Sequence, residues 1–125
     1  MIGTELPELR IDVTPTFVVS TAIATRDYQD VHHDRDAAVA RGSKDIFLNI
    51  LTDTGLVQRF VTDWAGPKAV VRKISLKLGV PCYANETLVF TGRVVDQVGA
   101  ELVVEVLGRN SLGDHVTATV RVVRP

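Results

Sequence analysis

A long apolar segment in the middle of the chain constrains the fold more than any other feature. From residue 46 to residue 64 the apolar side chains recur at helical spacing and cover more than one stripe of the helix surface. Ser43 is the expected N-cap, Asp45 lies in the first turn, and the Gly66-Pro67 pair ends the segment. The pattern predicts one helix that other parts of the fold cover on several sides.

Extended segments flank this predicted helix on both sides. Before it, residues 16–25 form a run rich in β-branched side chains, which predicts a first strand. After it, apolar and polar residues alternate as they do in strands with one buried face. These runs are residues 73–78, 88–95, 102–107 and 116–122. Because short turns such as residues 96–100 join the runs, we expect these four strands to pair in sequence as a meander.

This order of elements predicts an α+β fold in a single domain, residues 1–125. A five-stranded antiparallel sheet would wrap around the one long central helix, which is the arrangement of the hot-dog fold. A sheet of this size leaves strand edges to be covered. We therefore expect the chain to pair with a second copy or with a homologue.

Charge and cysteine content exclude several classes of function. With 14 Lys and Arg against 15 Asp and Glu, the formal net charge is −1, so nucleic-acid binding is not expected. The single cysteine, Cys82, allows no internal disulfide and has no basic neighbour in sequence to activate it, so a packed thiol is expected. Residues 1–14 lack a secretory signal, and no apolar run reaches the roughly 18 residues that span a bilayer. We expect a cytoplasmic protein outside the membrane.

The polar stretch before the helix, residues 26–36, contains the candidate catalytic residues Asp27 and His32. A carboxylate and an imidazole that converge on one water can take a proton from it and return a proton to another atom. The Asp-x4-His spacing alone also fits a loop whose acidic side chains simply face water. Metal binding through His32, His33 and Asp34 is a further alternative, but adjacent side chains diverge and no other His or Cys lies nearby in sequence.

This stretch resembles the hydratase motif of the MaoC-like family, which usually reads Asp-Phe-Asn-Pro-x-His-x-Asp. Asp27, Tyr28, His32 and Asp34 match the motif, whereas Gln29 and Asp30 replace its Asn-Pro. Element order and lengths extend the likeness over residues 15–123. The resemblance implies an enoyl-CoA hydratase, a hydro-lyase that adds water to an α,β-unsaturated acyl-CoA without a cofactor or metal. Asp27 and His32 would then activate the water.

The start of the long helix departs from the family pattern. Members of the family usually have a His-Gly pair there, whose backbone amide polarises the thioester carbonyl. The equivalent region of this chain, residues 43–47, has no such pair. A helix N-terminus still offers free N–H groups, so the amide of Ile46 or Phe47 is the expected donor. Asn49 is a candidate lining residue of the acyl pocket, or alternatively is hydrogen-bonded within the fold.

Residues 26–34 and 45–67 resemble, more narrowly, the small MaoC-like subunit of the steroid side-chain enoyl-CoA hydratases of bacterial sterol catabolism. In that group a larger MaoC-like subunit completes the acyl pocket. The resemblance implies a steroid-CoA substrate and an α2β2 heterotetramer, with a homodimer as the alternative assembly.

Two other functions remain open at this point. A hot-dog thioesterase would place its catalytic carboxylate on the central helix, where Asp45 or Asp53 lies. A non-catalytic subunit would only support a partner that carries the chemistry. The third histidine, His115, opens the last predicted strand and is expected on the surface.

Overall fold

A five-stranded antiparallel sheet and a 16-residue helix make up most of the molecule. The structure is a computed structural model that describes all 125 residues, Met1–Pro125. In chain order the elements are β1 (Leu9–Val13), α1 (Pro15–Ala24), a short 3-10 helix (Asp30–His32), α2 (Arg35–Ala40), α3 (Ile50–Ala65), β2 (Val70–Leu78), β3 (Glu86–Val98), β4 (Glu101–Asn110) and β5 (Gly113–Val123). The predicted combination of one long helix and five strands is confirmed.

The strands lie in the order β1-β3-β4-β5-β2. β3, β4 and β5 form a meander, but β2 pairs with β5 at the far edge and not with β3. The predicted meander of four strands is therefore wrong for its first strand, β2, which does not pair with β3. The chain does not turn back on β2, because Gly79 and Val80 bond to β5 and residues 82–84 then pair with the segment before α3. Alternating polarity indicates which face of a strand is buried, but not which strand lies beside it.

The hydrophobic core lies between α3 and one face of the sheet. Buried apolar side chains of β1, β3, β4, β5 and α3 form one continuous cluster, and partly buried side chains of β2 pack against it. Phe60 of α3 packs against Phe90 of β3 with ring centroids 6.0 Å apart. A Cβ at Gly92 would lie 2.8 Å from the Phe60 ring, so glycine lets β3 approach the helix closely.

The predicted first strand, residues 16–25, is in fact helix α1. Thr14 caps this helix, because its Oγ1 accepts a hydrogen bond from the amide of Phe17 at 3.0 Å, and Pro15 occupies the first turn. The β-branched Thr21 and Thr25 donate their hydroxyls to carbonyls one turn earlier, which satisfies them inside the helix. The first strand is β1, which the sequence analysis missed.

Helix α3 begins at Ile50, four positions after the predicted start. The preceding residues 46–48 are extended and pair with residues 82–84. The Leu48 amide donates to the Cys82 carbonyl, and the Ala84 amide donates to the Ile46 carbonyl, both at 3.0 Å. This tertiary pairing overrides the helical propensity of an apolar run whose side chains are also suited to buried extended structure. The helix ends as predicted, at Gly66 with a φ of 97°.

The two edges of the sheet differ. Beside β1, residues 3–6 bond to β3 and lengthen the paired edge. β2 forms the opposite edge and pairs on one side only. None of the helices has the length and the apolar character needed to cross a bilayer.

Candidate active site

Asp27 is positioned by the end of α1. Arg26 has a φ of 57°, in the left-handed region, and the chain reverses direction there. The Arg26 amide donates to the carbonyl of Ile23, and the Asp27 amide donates to the carbonyl of Ala22, each at 2.9 Å. This pair of bonds is the Schellman motif, which usually has Gly at the left-handed position. The motif fixes the backbone of Asp27 at the point where its side chain leaves the helix.

His32 is oriented by the extended segment before α3. It is buried, at 6% exposure, at the end of the 3-10 helix. Its Nδ1 lies 2.7 Å from the carbonyl oxygen of Phe47. Because a carbonyl only accepts, Nδ1 carries a hydrogen and donates it. The Phe47 ring also packs edge-on against the imidazole, with centroids 4.9 Å apart. Nε2 is therefore the nitrogen that is left to act on a water or a substrate.

Asp27 and His32, the predicted catalytic pair, face each other across a narrow gap. Oδ2 of Asp27 lies 3.5 Å from Nε2 of His32, and the Asp27 side chain is 23% exposed. With its hydrogen on Nδ1, neutral His32 presents Nε2 as an acceptor, and a carboxylate is an acceptor only. Two acceptors do not bond to each other, but a single water can donate one hydrogen to each. The pair is thus arranged to hold a water and to remove a proton from it.

The start of α3 lies beside this pair. Asn49 precedes the helix and is buried; its Nδ2 donates to Oγ1 of Thr25 at 2.8 Å, and its Oδ1 accepts from Thr52. These bonds tie α3 to the end of α1, two residues before Asp27. The amides of residues 49–51 donate no hydrogen bond within the chain. They are therefore available to an oxyanion, as amides at helix N-termini commonly are. The predicted contact of Asn49 with substrate stays a prediction.

The amides of Ile46 and Phe47, the expected oxyanion donors, are not free in this structure. The Ile46 N–H donates to Oδ1 of Asp45 at 2.8 Å, and the Phe47 N–H donates to the carbonyl of Val31 at 3.3 Å. Both residues lie in the extended segment before α3, so they have no helix N-terminus to offer. The amides in the first turn of α3 that have no partner in the chain are the remaining donors at this end of the helix.

The other acidic side chains of the polar stretch have structural contacts at the surface. Asp30 accepts a hydrogen bond from Arg41 at 3.0 Å, and Asp34 caps α2. No three His, Cys, Asp or Glu side chains cluster closely enough to hold a metal ion. The interpretation as a solvated loop therefore describes these residues, but it does not describe the Asp27–His32 pair.

A second carboxylate–imidazole pair, which the sequence analysis missed, lies deep in the core. His115 and Asp53 are 2% and 0% exposed. Nε2 of His115 lies 2.9 Å from each oxygen of Asp53, and its Nδ1 lies 2.6 Å from the carbonyl of Val80. Burial raises the pKa of Asp53. Burial alone would lower the pKa of His115, but its bond to Asp53 and the nearby carboxylate charge raise it. Asp53 is thus sealed from substrate, which removes it as a thioesterase carboxylate.

The expected surface position of His115 is wrong because of a β-bulge. Strand β5 alternates with Val116, Ala118 and Val120 in the core, which would turn His115 outward. The pairing register shifts between Gly108 and Arg109, so that Gly108 faces Val116 while Arg109 faces Asp114. His115 has no partner in β4 and is the additional residue of this bulge. The bulge turns its side chain to the face of the sheet that packs against α3. No local feature of the sequence signals this bulge.

Known proteins with similar sequences identify the family. No protein-family model matches the chain. The beta subunit of 3-oxo-4,17-pregnadiene-20-carboxyl-CoA hydratase from Mycobacterium tuberculosis is 65% identical over 120 residues, covering 96% of this chain and 93% of that protein. The chain belongs to this family of hydratase subunits. The predicted hydratase class of activity is thereby confirmed.

Solved structures place the family in a wider fold group. The crystal structure of the ChsH1-ChsH2 complex from Mycobacterium tuberculosis contains a chain with a TM-score of 0.99 and 62% identity, covering 100% of this hydratase subunit and 98% of that chain. The (R)-hydratase from A. caviae has a TM-score of 0.91 at 15% identity, covering 100% and 97%. At that identity the likeness shows the fold alone. The predicted MaoC-like hot-dog fold is confirmed.

Proposed function

We propose that this protein is the catalytic small subunit of a heteromeric enoyl-CoA hydratase that adds water to a steroid side-chain CoA thioester. The observation that carries the proposal is the Asp27–His32 pair, in which two hydrogen-bond acceptors converge 3.5 Å apart at a partly open position. The 65% identity to a subunit named for hydration of 3-oxo-4,17-pregnadiene-20-carboxyl-CoA supports the substrate class.

In this proposal each group of the site has one role. A water donates one hydrogen to the Asp27 carboxylate and the other to Nε2 of His32. As its oxygen bonds to the β-carbon, the pair takes one proton, and a proton is delivered to the α-carbon of the enolate. The amides of residues 49–51 bind the thioester oxygen, where negative charge develops. The addition balances without a cofactor, and CoA enters as part of the substrate.

A larger MaoC-like subunit is part of the proposal. The similar chain in the ChsH1-ChsH2 complex supports a heteromer, and the one-sided pairing of β2 gives an edge that another chain can extend. We expect an α2β2 assembly in which the larger subunit completes the acyl pocket. We also expect a cytoplasmic location.

The test is the substitution Asp27→Asn in the complex with the larger subunit. The probe is 3-oxo-4,17-pregnadiene-20-carboxyl-CoA, and hydration is followed as the loss of the ultraviolet absorbance of the conjugated thioester. Because Asn no longer accepts a proton, kcat/KM should fall by about 10²-fold or more while the complex stays assembled. Asp36→Asn is the matched control, since Asp36 is an exposed carboxylate of α2 with no contact to the pair.

Two results would contradict the proposal. Normal turnover by Asp27→Asn would show that the catalytic residues lie in the partner subunit and that this chain is a non-catalytic subunit. Full turnover by the larger subunit in the absence of this chain would do the same.

A further inference from the structure

The buried Asp53–His115 pair has no part in the proposed chemistry, yet it is costly to bury. Both side chains are fully enclosed, and the carboxylate and the imidazole are 62 positions apart in sequence. A buried ion pair stabilises a fold little more than apolar side chains of the same volume, and often less. Stability alone therefore gives a weak reason for placing this pair in the core.

Through its hydrogen bonds, the pair connects helix α3 to the segment that follows β2. The carbonyl of Val80 only accepts, so Nδ1 of His115 donates to it at 2.6 Å. Nε2 meets both oxygens of Asp53 at 2.9 Å, so one proton lies between the imidazole and the carboxylate. The pair is neutral as a unit, whereas either member alone would be an unpaired buried group. His115 thus links helix α3, through Asp53, to the segment that begins at Val80.

That segment leads directly to the imidazole of the catalytic pair. Residues 82–84 pair with residues 46–48 through two bonds of 3.0 Å and a bridge between Tyr83 and Phe47. The carbonyl of Phe47 then accepts the Nδ1 hydrogen of His32 at 2.7 Å. The His115 side chain is therefore joined to His32 by hydrogen bonds and short stretches of backbone, and the last bond fixes the tautomer and the direction of His32. The backbone amides of Gly79 and Val80 also bond to β5 and hold the start of the same segment.

A second path leads from Asp53 to the catalytic carboxylate. The amide of Asp53 donates to the carbonyl of Asn49 at 3.2 Å, in the first turn of α3. The Asn49 side chain bonds to Thr25 at 2.8 Å, and Asp27 follows two residues later. This second route runs through the backbone amide of Asp53, so only the route through His115 and Val80 depends on the side chains of the buried pair.

We propose that Asp53 and His115 are positioning residues for hydration, which hold the Asp27–His32 pair at the separation that one water bridges. The inference rests on the proposed function of Asp27 and His32. His115 acts through Val80 and Phe47 on the orientation of His32, and neither member of the buried pair touches the substrate.

The test compares His115→Gln with Asp53→Asn in the assembled complex. Gln can still donate to Asp53 from the position of Nε2, but it cannot also donate to Val80, so the segment that leads to His32 loses its side-chain bond and keeps only its backbone bonds to β5. Asn can donate to Nε2 of neutral His115, whose Nδ1 still bonds to Val80, so the path is kept. We expect His115→Gln to lower kcat by about 10- to 100-fold with KM within about threefold, and Asp53→Asn to keep most of the wild-type kcat.

The second readout is the tautomer of His32, which a purely structural role would not alter. The chain has three histidines, so ¹⁵N-histidine labelling of this chain alone, with an unlabelled partner, gives three imidazole patterns by NMR. We expect the Nδ1–H form of His32 to dominate in the wild type and in Asp53→Asn, and to give way to a mixture in His115→Gln. His33→Gln, at an exposed histidine, is the matched control.

The outcomes separate this inference from the proposed function. If His115→Gln assembles and keeps both the kcat and the His32 pattern of the wild type, the positioning role is overturned. If His115→Gln does not assemble, the double variant Asp53→Asn/His115→Gln is measured instead, because it also removes the buried carboxylate of Asp53. Failure of that variant to assemble would make the pair a stability element and also overturn the inference. Normal turnover by Asp27→Asn would overturn the proposed function, while the His32 pattern would still report the link.

Discussion

At the scale of single residues, His32 and His115 have the same kinds of hydrogen-bonding neighbours, but the distance to the aspartate and the burial of the pair differ. Each donates from Nδ1 to a backbone carbonyl and presents Nε2 to an aspartate. The distance to the nearest carboxylate oxygen is 2.9 Å for His115 and 3.5 Å for His32. The closer pair is sealed and shares a proton directly. The wider pair is partly exposed, and this combination leaves it able to act on a water.

The raised pKa of His115 predicts how stability depends on pH. The folded state keeps the imidazole proton above the pH at which an unfolded histidine, with a pKa of about 6.5, loses it. The contribution of His115 is therefore fully present below about pH 6.5, and it is lost as the pH rises through the folded pKa. As the pH rises above about 6.5, the melting temperature of the wild-type complex should fall more than that of Asp53→Asn/His115→Gln, which has neither titrating group. Parallel curves for the two proteins would contradict the assignment.

At the scale of elements, the sequence predicted strands better than helix boundaries. Alternation located β2 to β5 because each has one face on the core. It failed for α1, whose β-branched residues are accommodated by hydroxyl bonds to the preceding turn. It also failed at the start of α3, where pairing with residues 82–84 keeps residues 46–48 extended. Both errors arise because the conformational propensity of a short segment does not indicate which hydrogen bonds the segment makes in the folded protein.

The Schellman turn after α1 gives a prediction at this scale. Arg26 adopts a φ of 57°, which costs a residue other than glycine roughly 1–2 kcal/mol. A β-branched residue tolerates this conformation least. Arg26→Val should therefore lower the free energy of unfolding by a further 1 kcal/mol or so and also lower kcat, because Asp27 follows the turn. Arg26→Gly should keep kcat near the wild type and should not lower the free energy of unfolding, because glycine adopts this conformation without the Cβ penalty.

Denaturant unfolding and hydration assays on the assembled complex would check this prediction. Equal stability and turnover for Arg26→Val and Arg26→Gly would show that the turn does not position Asp27.

At the scale of the whole molecule, the contact between Asp27 and His32 was predictable from the sequence, and the contact between Asp53 and His115 was not. Asp27 and His32 lie in one short loop, so their approach is visible in the sequence as an Asp-x4-His spacing within a family motif. Asp53 and His115 come from different elements and meet only because of a bulge in β5. The separation of the catalytic pair, in turn, depends on α1, on the segment before α3 and on residues 82–84 together.

The most direct test of the account is the hydration rate of four complexes: wild type, Asp27→Asn, His32→Gln and the double variant. Residues that act as a unit on one water lose their effect together. Each single substitution should lower kcat by about 10²-fold or more, and the double variant should be no slower than the slower single variant, to within about threefold. A double variant as slow as the product of the two single losses would contradict the shared water. A fully active single variant would remove the catalytic pair from this chain.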